Sequence, residues 1–152
     1  MNIFVLDKDL ATCASYHCDK HVVKMILESA QLLSTACRAS GLDQGYKSTH
    51  LNHPCAKWAR ASEDNFLWLA DLAHYLNQEY KTRFKHKVNH KSFDVIQTLS
   101  LPDLPKIGLT EHPKCMPDEY KLEDVVSSYR NYYKLGKASI LTYNHSERPN
   151  WL

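Results

Sequence analysis

Residues 10–39 alternate between apolar and polar positions with the period of an α-helix. At about 100° per residue, one side of this helix is apolar, and we expect it to pack in the core: Val23, Ile26, Ala30, Leu33 and Cys37. The opposite side holds polar and charged residues: His17, Lys20, His21, Lys24, Glu28, Gln31 and Thr35. A solvated helix face has the same pattern, so other parts of the chain must decide whether this side is a functional site.

The ends of this first helix and of four others are marked by residues that cap or stop helices. Asp7 or Asp9 is predicted to cap the first helix, with a break around Cys18 and an end before Gly41. Pro54 suits the first turn of a second helix, which holds Trp58 and Arg60 and is capped by Asn52 or His53. The clearest helix follows over 62–84 and completes a helical region of about 54–84; its core side is Phe66, Leu69, Ala70, Ala73, Leu76 and Tyr80. A weaker helix is predicted over about 92–99. A last helix is predicted over 122–135 and ends at Gly136. The residues of this last helix that we expect to face the core are Val125, Val126, Tyr129 and Tyr132 or Tyr133.

These elements predict an all-α protein that forms a single compact helical domain over residues 1–152. The chain has 152 residues, of which 43% are hydrophobic, enough to bury one core. Residues 1–6 form a short extended segment, too isolated to imply a sheet, which we expect to pack as a cap. Prolines between residues 102 and 117 predict an irregular loop along the surface.

Composition narrows the class of protein further. No apolar run is long enough to span a membrane, and the first residues lack the basic region and cleavage site of a signal peptide, so we expect a cytoplasmic protein. Five cysteines without a CxxC pair indicate reduced thiols. A net charge of +2 is too small to indicate nucleic-acid binding from bulk electrostatics, and only the distribution of cations is informative.

A second polar cluster surrounds the start of the second helical region. Hydroxyls, a lysine and free backbone donors before a helix N-terminus favour an anion such as a phosphate. The cluster comprises Tyr46, Lys47, Ser48, Thr49, His50, Asn52 and His53, followed by Trp58 and Arg60. A capping loop that satisfies its own backbone is the alternative interpretation, with Trp58 in the core and Arg60 paired to Glu63 or Asp64.

A metal centre is the competing interpretation of the histidines. Cys13, His17 and His21 lie four residues apart and would align on a helix, and His50 and His53 supply two more nitrogens. No compact four-ligand pattern follows, because the nine histidines are spread over the chain. We therefore expect no metal and no cofactor.

Several of these residues occur in an order that resembles a known family. The pattern is Asp19-Lys20, Lys24, Glu28 and Gln31-Leu32-Leu33, then Asn52-His53-Pro54, Trp58, Arg60 and Glu79-Tyr80-Lys81-Thr82-Arg83. It resembles the phage pyrimidine-dimer DNA glycosylases of the endonuclease V type and their uncharacterised phage relatives. The resemblance covers about the first 85 residues, and the aromatic, basic tail (132–138 and 148–151) matches only loosely.

The resemblance implies an all-α domain that binds DNA and extrudes a nucleotide beside a damaged pyrimidine. Such a domain then cleaves the glycosidic bond of the damaged pyrimidine. In that chemistry an N-terminal amine attacks the sugar C1′ to form a Schiff base, and a glutamate stabilises the developing charge. The corresponding residues here are Met1 or Lys24 as nucleophile, Glu28 as acid/base and His21 as a helper. The chain departs from the family twice: Asn2 is large enough that we expect Met1 to be retained, and His21 stands where the family has its glutamate.

Three functions remain open from the sequence. The first is a DNA glycosylase with lyase activity, and the second is a non-catalytic binder of a free nucleotide or nucleotide-derived signal. Both would use the same phosphate, sugar or base contacts: Lys20, Lys24, Lys47, His50, Asn52, His53, Trp58 and Arg60. The third is a protein-interaction module that uses the tyrosine-rich tail.

Overall fold

The computed structural model describes all 152 residues and contains helices but no strand, which confirms the all-α class. The six α-helices are α1 (Leu10–Tyr16), α2 (Asp19–Ala39), α3 (Pro54–Ala59), α4 (Glu63–Arg83), α5 (Lys91–Thr98) and α6 (Val125–Asn131). A π-helical turn, Tyr132–Gly136, continues α6, and short 3-10 turns span Asp118–Tyr120 and Ala138–Ile140. Helix α2 is central, because α3, α4 and α5 all pack against it, and α1 packs against α4. None of these helices has the length and apolar character needed to cross a bilayer.

Helix boundaries follow local capping chemistry. The carboxylate of Asp9 accepts the Thr12 amide at 3.0 Å and starts α1, and His53 Nδ1 accepts the Cys55 amide at 3.0 Å and starts α3. The predicted break near Cys18 is confirmed, since Cys18 is extended between α1 and α2. The predicted helix from Pro54 and the predicted helix over 62–84 are α3 and α4, and they are separate because Ser62 is extended and caps α4 through its hydroxyl.

The polar side of α2 is largely buried, which the periodicity did not predict. His21 is 3% exposed and Glu28 6%, whereas Val23, predicted to lie in the core, is 38% exposed. Helical periodicity gives the two sides of a helix but not which side is covered by other segments. Here the first residues of the chain and the C-terminal third cover the polar side, and the buried polar groups find partners there.

The first six residues do not cap the fold but enter its core. Residues 3–6 are at most 4% exposed, so the predicted short extended segment is more deeply buried than a cap on the outside of the core would be. The Phe4 ring lies 4.4 Å from the His21 ring on α2 and 5.6 Å from the Tyr129 ring on α6, measured between centroids. The segment is therefore held between α2 and α6, and this places the chain terminus beside the buried polar side of α2.

Arg83 joins the end of α4 to the junction of α1 and α2. Its guanidinium is 1% exposed in side-chain area and donates to the carbonyl oxygens of His17 (2.6 Å) and Ser15 (2.8 Å). It also lies 3.3 Å from an Asp19 carboxylate oxygen and 3.4 Å from Glu79. This buried cation compensates the carbonyls that the break at Cys18 leaves without helical partners.

Gly45 fixes the loop between α2 and α3, and Gly45→Ala should destabilise the protein by about 2 to 4 kcal/mol. Its φ is +71°, and an added Cβ would lie 2.3 Å from the Ser34 hydroxyl oxygen and 2.8 Å from Leu99. Gly41 provides the matched control, because its φ is +88° but a Cβ there meets open space, so Gly41→Ala should cost only about 1 kcal/mol. Urea unfolding of both variants checks this, and equal losses would contradict it.

Candidate active site

A cleft of about 350 Å³ opens where the N-terminus meets the polar side of α2. Its lining combines one carboxylate, several nitrogen bases and apolar side chains: Met1, Asn2, Phe4, His21, Lys24, Met25, Glu28, His53, Cys115, Met116, Pro117, Tyr132 and Lys137. Four parts of the sequence therefore converge here: the first residues, α2, the start of α3 and the C-terminal third. Of the residues predicted to form a site, Met1, His21, Lys24, Glu28 and His53 lie together in this cleft.

The terminal amine and Glu28 form the centre of the cleft. The Met1 nitrogen lies 3.2 Å from Glu28 Oε1, and the Asn2 amide donates to the same oxygen at 3.0 Å. Glu28 Oε2 is buried and has no hydrogen-bond partner. A buried carboxylate oxygen without a partner is costly, and because Glu28 lines the cleft, this oxygen is available to a bound molecule or to a proton.

Asn2 holds the terminus in this position through its side chain. Its Nδ2 donates to the Cys115 carbonyl at 2.8 Å, and its Oδ1 accepts the Tyr129 hydroxyl at 2.8 Å. The Tyr129 hydroxyl also accepts the Cys115 amide at 3.1 Å. The first two residues are thus fixed by α2 on one side and by the C-terminal third on the other, which restricts the amine to the neighbourhood of Glu28.

His21 is a neutral, positioned imidazole. Its Nδ1 lies 2.7 Å from the Tyr133 hydroxyl. Burial, followed by the nearby His17, Lys137, Lys24 and Lys20, lowers the pKa of His21 to about 3. At neutral pH this side chain is therefore a hydrogen-bonding group without charge.

The buried histidines predict that stability falls as the pH drops from 7 to 5. Burial also lowers the pKa of His17 to about 4, against the reference value of 6.5. Between these values the unfolded chain binds protons that the folded protein excludes, so the free energy of unfolding decreases by about 1 to 2 kcal/mol per histidine. Urea unfolding at several pH values measures the slope. His17→Gln should flatten it and His74→Gln, at an exposed position, should leave it unchanged; a flat wild-type profile would contradict the prediction.

Cations surround the mouth of the cleft. Lys24 is exposed, and Lys137 approaches from the C-terminal third with its Nζ 5.0 Å from the centroid of the Tyr132 ring. Tyr132 in turn stacks on Tyr120, with 5.2 Å between ring centroids. Sequence reasoning noted the basic, tyrosine-rich tail but did not place Lys137 in the site, because only the fold brings that tail to α2.

The predicted anion-binding loop contributes one residue to the cleft lining, His53. Burial is the first cause that lowers the pKa of His53, followed by the charge of the terminal amine. Lys47, His50 and Asn52 are exposed and lie outside the cleft lining, as does the exposed Lys20 on α2. Their assignment as contacts to phosphate stays a prediction.

Trp58 takes the core position, one of the two weighed from the sequence, and the contact of Arg60 to phosphate or sugar stays a prediction. Trp58 is 5% exposed, donates to the Thr110 carbonyl at 3.2 Å and stacks on His112 at 4.1 Å between centroids. It therefore belongs to the core and presents no face to a nucleic-acid base. Arg60 lies outside the cleft lining and forms no ion pair with Glu63 or Asp64, the partners weighed for it.

Two cysteines that sequence reasoning did not assign to the site lie at its edge. The Cys55 and Cys115 sulfurs are 3.6 Å apart, and all five cysteines are free thiols. The hydrogen bond from Cys55 is the main cause that lowers the pKa of Cys115 to about 7. No sequence signal links these two residues, because 60 positions separate them and Cys115 lies in the proline-rich loop.

The arrangement as a whole suits chemistry at an electrophilic carbon. It combines a primary amine, a carboxylate that can take up its proton, a neutral imidazole and two lysines at the mouth. These groups match the requirements of covalent catalysis through a Schiff base, in which the nucleophile and its base lie within hydrogen-bond reach.

Comparison with known proteins identifies the family of the chain. A family model described as pyrimidine dimer DNA glycosylase matches residues 1–92, which include the terminal amine, α2 and the start of α3. This match confirms the resemblance seen in the sequence. Neither curated proteins nor solved structures gave a significant match to the chain.

Proposed function

Because the chain belongs to the pyrimidine dimer DNA glycosylase family, we propose that it cleaves the N-glycosidic bond of a damaged pyrimidine nucleotide in DNA. The observation that supports this most strongly is the 3.2 Å separation between the Met1 nitrogen and Glu28 Oε1 inside a cleft. Imine chemistry needs an amine and a carboxylate within hydrogen-bond reach, and the cleft gives a substrate access to both groups.

The proposed reaction begins when Glu28 takes up a proton and leaves the Met1 amine with a free electron pair. The nitrogen then bonds to C1′ of the sugar, and the bond from C1′ to the base breaks, so the base leaves with the bonding electrons. The departing base takes up a proton from the new ammonium nitrogen, and Glu28 passes the proton it holds to the sugar ring oxygen as the bond from C1′ to that oxygen breaks. This gives a protonated Schiff base between Met1 and C1′ and returns Glu28 to a carboxylate. With its unpartnered Oε2, this carboxylate would stabilise the positive charge of the Schiff base.

The surrounding residues have supporting roles in this proposal. Lys24 and Lys137 would contact phosphates at the mouth of the cleft, together with the exposed Lys20, Lys47, His50 and Asn52 predicted from the sequence. His21, held neutral by burial, would orient the sugar by a hydrogen bond rather than donate a proton as an imidazolium. DNA is therefore the proposed partner, and a free nucleotide the alternative.

Borohydride trapping on a duplex that contains an abasic site tests the proposal. We expect one covalent adduct per chain, together with strand cleavage when the hydride is omitted. Peptide mapping should place the adduct on the N-terminal peptide, and the intact mass identifies whether Met1 or a shortened terminus bears it. Ultraviolet-irradiated DNA then tests the damaged-pyrimidine substrate.

The other outcomes separate the competing functions. An adduct on Lys24 would keep the Schiff base but overturn Met1 as the nucleophile. Binding of DNA or of a nucleotide with neither adduct nor cleavage would overturn catalysis and favour the non-catalytic binder.

A further inference from the structure

Three metal-binding side chains meet at the edge of the amine cleft. A ring nitrogen of His53 and the sulfurs of Cys55 and Cys115 all lie within 4.8 Å of one another. Cys55 is fully buried, while His53 and Cys115 are partly exposed and line the cleft. The first two come from the start of α3 and the third from the loop before the 3-10 turn at Asp118–Tyr120, so the fold assembles the group from distant positions.

We propose that His53, Cys55 and Cys115 form a binding site for a thiophilic divalent cation, with Zn²⁺ as the ion of choice. Two thiolates bound to tetrahedral zinc, each at about 2.3 Å, lie about 3.8 Å apart. The observed separation of 3.6 Å between the two sulfurs is close to this value. Two sulfurs and one imidazole are a ligand set that zinc and other thiophilic ions prefer over the oxygen-binding Mg²⁺ or Ca²⁺.

The histidine already presents an unprotonated nitrogen on this side. His53 Nδ1 accepts the Cys55 amide at 3.0 Å, which requires a lone pair on that atom. Coordination through Nδ1 would exchange this capping hydrogen bond for a metal bond. Since His53 and Cys115 both line the cleft, the fourth coordination position would face the cleft and be open to water, as in zinc sites that are not fully enclosed by protein ligands.

The bound ion would tie the proline-rich loop to the core. No α-helix forms between α5 and α6, and Cys115 lies near the end of this irregular stretch. The same residue accepts the Asn2 side-chain amide through its carbonyl oxygen. Fixing Cys115 to α3 would therefore also fix the first residues of the chain, so the proposed role of the ion is to position the terminus.

Titration of the chelator-treated full chain with Co²⁺ under reducing conditions, without DNA, tests this site. We expect a thiolate-to-cobalt charge-transfer band that saturates at one ion per chain and is displaced by Zn²⁺. Zn²⁺ should also raise the midpoint of thermal unfolding in a concentration-dependent way. Because neither measurement involves activity, failure of this site and failure of the proposed glycosylase are distinguishable.

Variants assign the ligands. Cys55→Ser and Cys115→Ser should each abolish the charge-transfer band or weaken binding by at least about tenfold, whereas Cys37→Ala, at a buried cysteine outside the site, should leave binding unchanged. His53→Asn should weaken binding by a similar factor yet stay folded, because asparagine is a good helix cap. Far-ultraviolet circular dichroism checks the fold of each variant.

Three results would overturn the proposal. The first is absence of a saturable band in the folded wild-type protein. The second is an unchanged band in both the Cys55→Ser and Cys115→Ser variants. The third is a Cys55–Cys115 disulfide, identified by mass, that persists under the reducing conditions of the assay and leaves no thiolates for the ion.

Discussion

Glu28→Gln should lower the rate of borohydride trapping on an abasic-site duplex by about 100-fold or more. Glutamine keeps the size of the side chain and can still accept the Asn2 amide, but it cannot take up the proton of the Met1 amine. It also removes the negative charge that would face the developing cation at C1′, and groups of this kind typically contribute factors of about 10² to 10³. Single-turnover trapping with the protein in excess over the DNA measures the rate of the covalent step.

A second carboxylate variant and the affinity for DNA serve as controls for the trapping rate of Glu28→Gln. Glu123→Gln makes the same chemical change at an exposed position and should trap at the wild-type rate. The affinity for DNA should change little in Glu28→Gln, because the proposed phosphate contacts are lysines at the mouth of the cleft. A wild-type trapping rate in the folded variant would show that the carboxylate has no part in the chemistry.

Arg83→Ala should cost about 3 to 5 kcal/mol of folding stability, the largest loss that we expect from a single substitution. The substitution leaves the Asp19 carboxylate, which is 8% exposed, without its cation, and it removes the donors to the carbonyls of Ser15 and His17. A buried charge that loses its partner costs more than the pair itself contributes. The midpoint of urea unfolding should drop accordingly.

Two further variants separate charge from packing at this position. Lys87→Ala removes an exposed cation beyond the end of α4 and should change stability by less than about 0.5 kcal/mol. The double variant Asp19→Asn with Arg83→Met should recover part of the loss, because no charge is then buried alone. A loss below 1 kcal/mol in Arg83→Ala would contradict the role assigned to this residue.

The sequence predicted the helices well because their signals are local. Asp9 and His53 cap helices as expected, and Gly41 ends α2 in the left-handed conformation. The exposure of Val23 was mispredicted because periodicity cannot report what covers the polar side of a helix. The segment that covers it, residues 1–6, is too short for any periodicity of its own.

The candidate site was predictable only in part, because the sequence does not report which distant segments the fold brings together. Met1 and Glu28 were paired through the resemblance to a family, not through spacing, because 27 positions separate them and no regular element joins them. Asn2, Cys115 and Lys137 were missed, since they reach the cleft through irregular segments. Trp58 was left open between a base contact and the core, because an aromatic residue near a polar loop has the same sequence signal whether it is exposed or buried, and its burial favours the core.

The burial of the first residues between α2 and α6 has a consequence for biosynthesis. Phe4 needs Tyr129 and Tyr133 to complete its surroundings, and the Asn2 side chain needs Cys115, so these contacts join positions more than 100 residues apart. Contacts of such sequence separation form late, because a long loop must close before they contribute. Until residue 133 has been made, the terminus therefore lacks the contacts from the C-terminal third that hold it beside Glu28. The proposed site is thus fully assembled only after most of the chain has been synthesised.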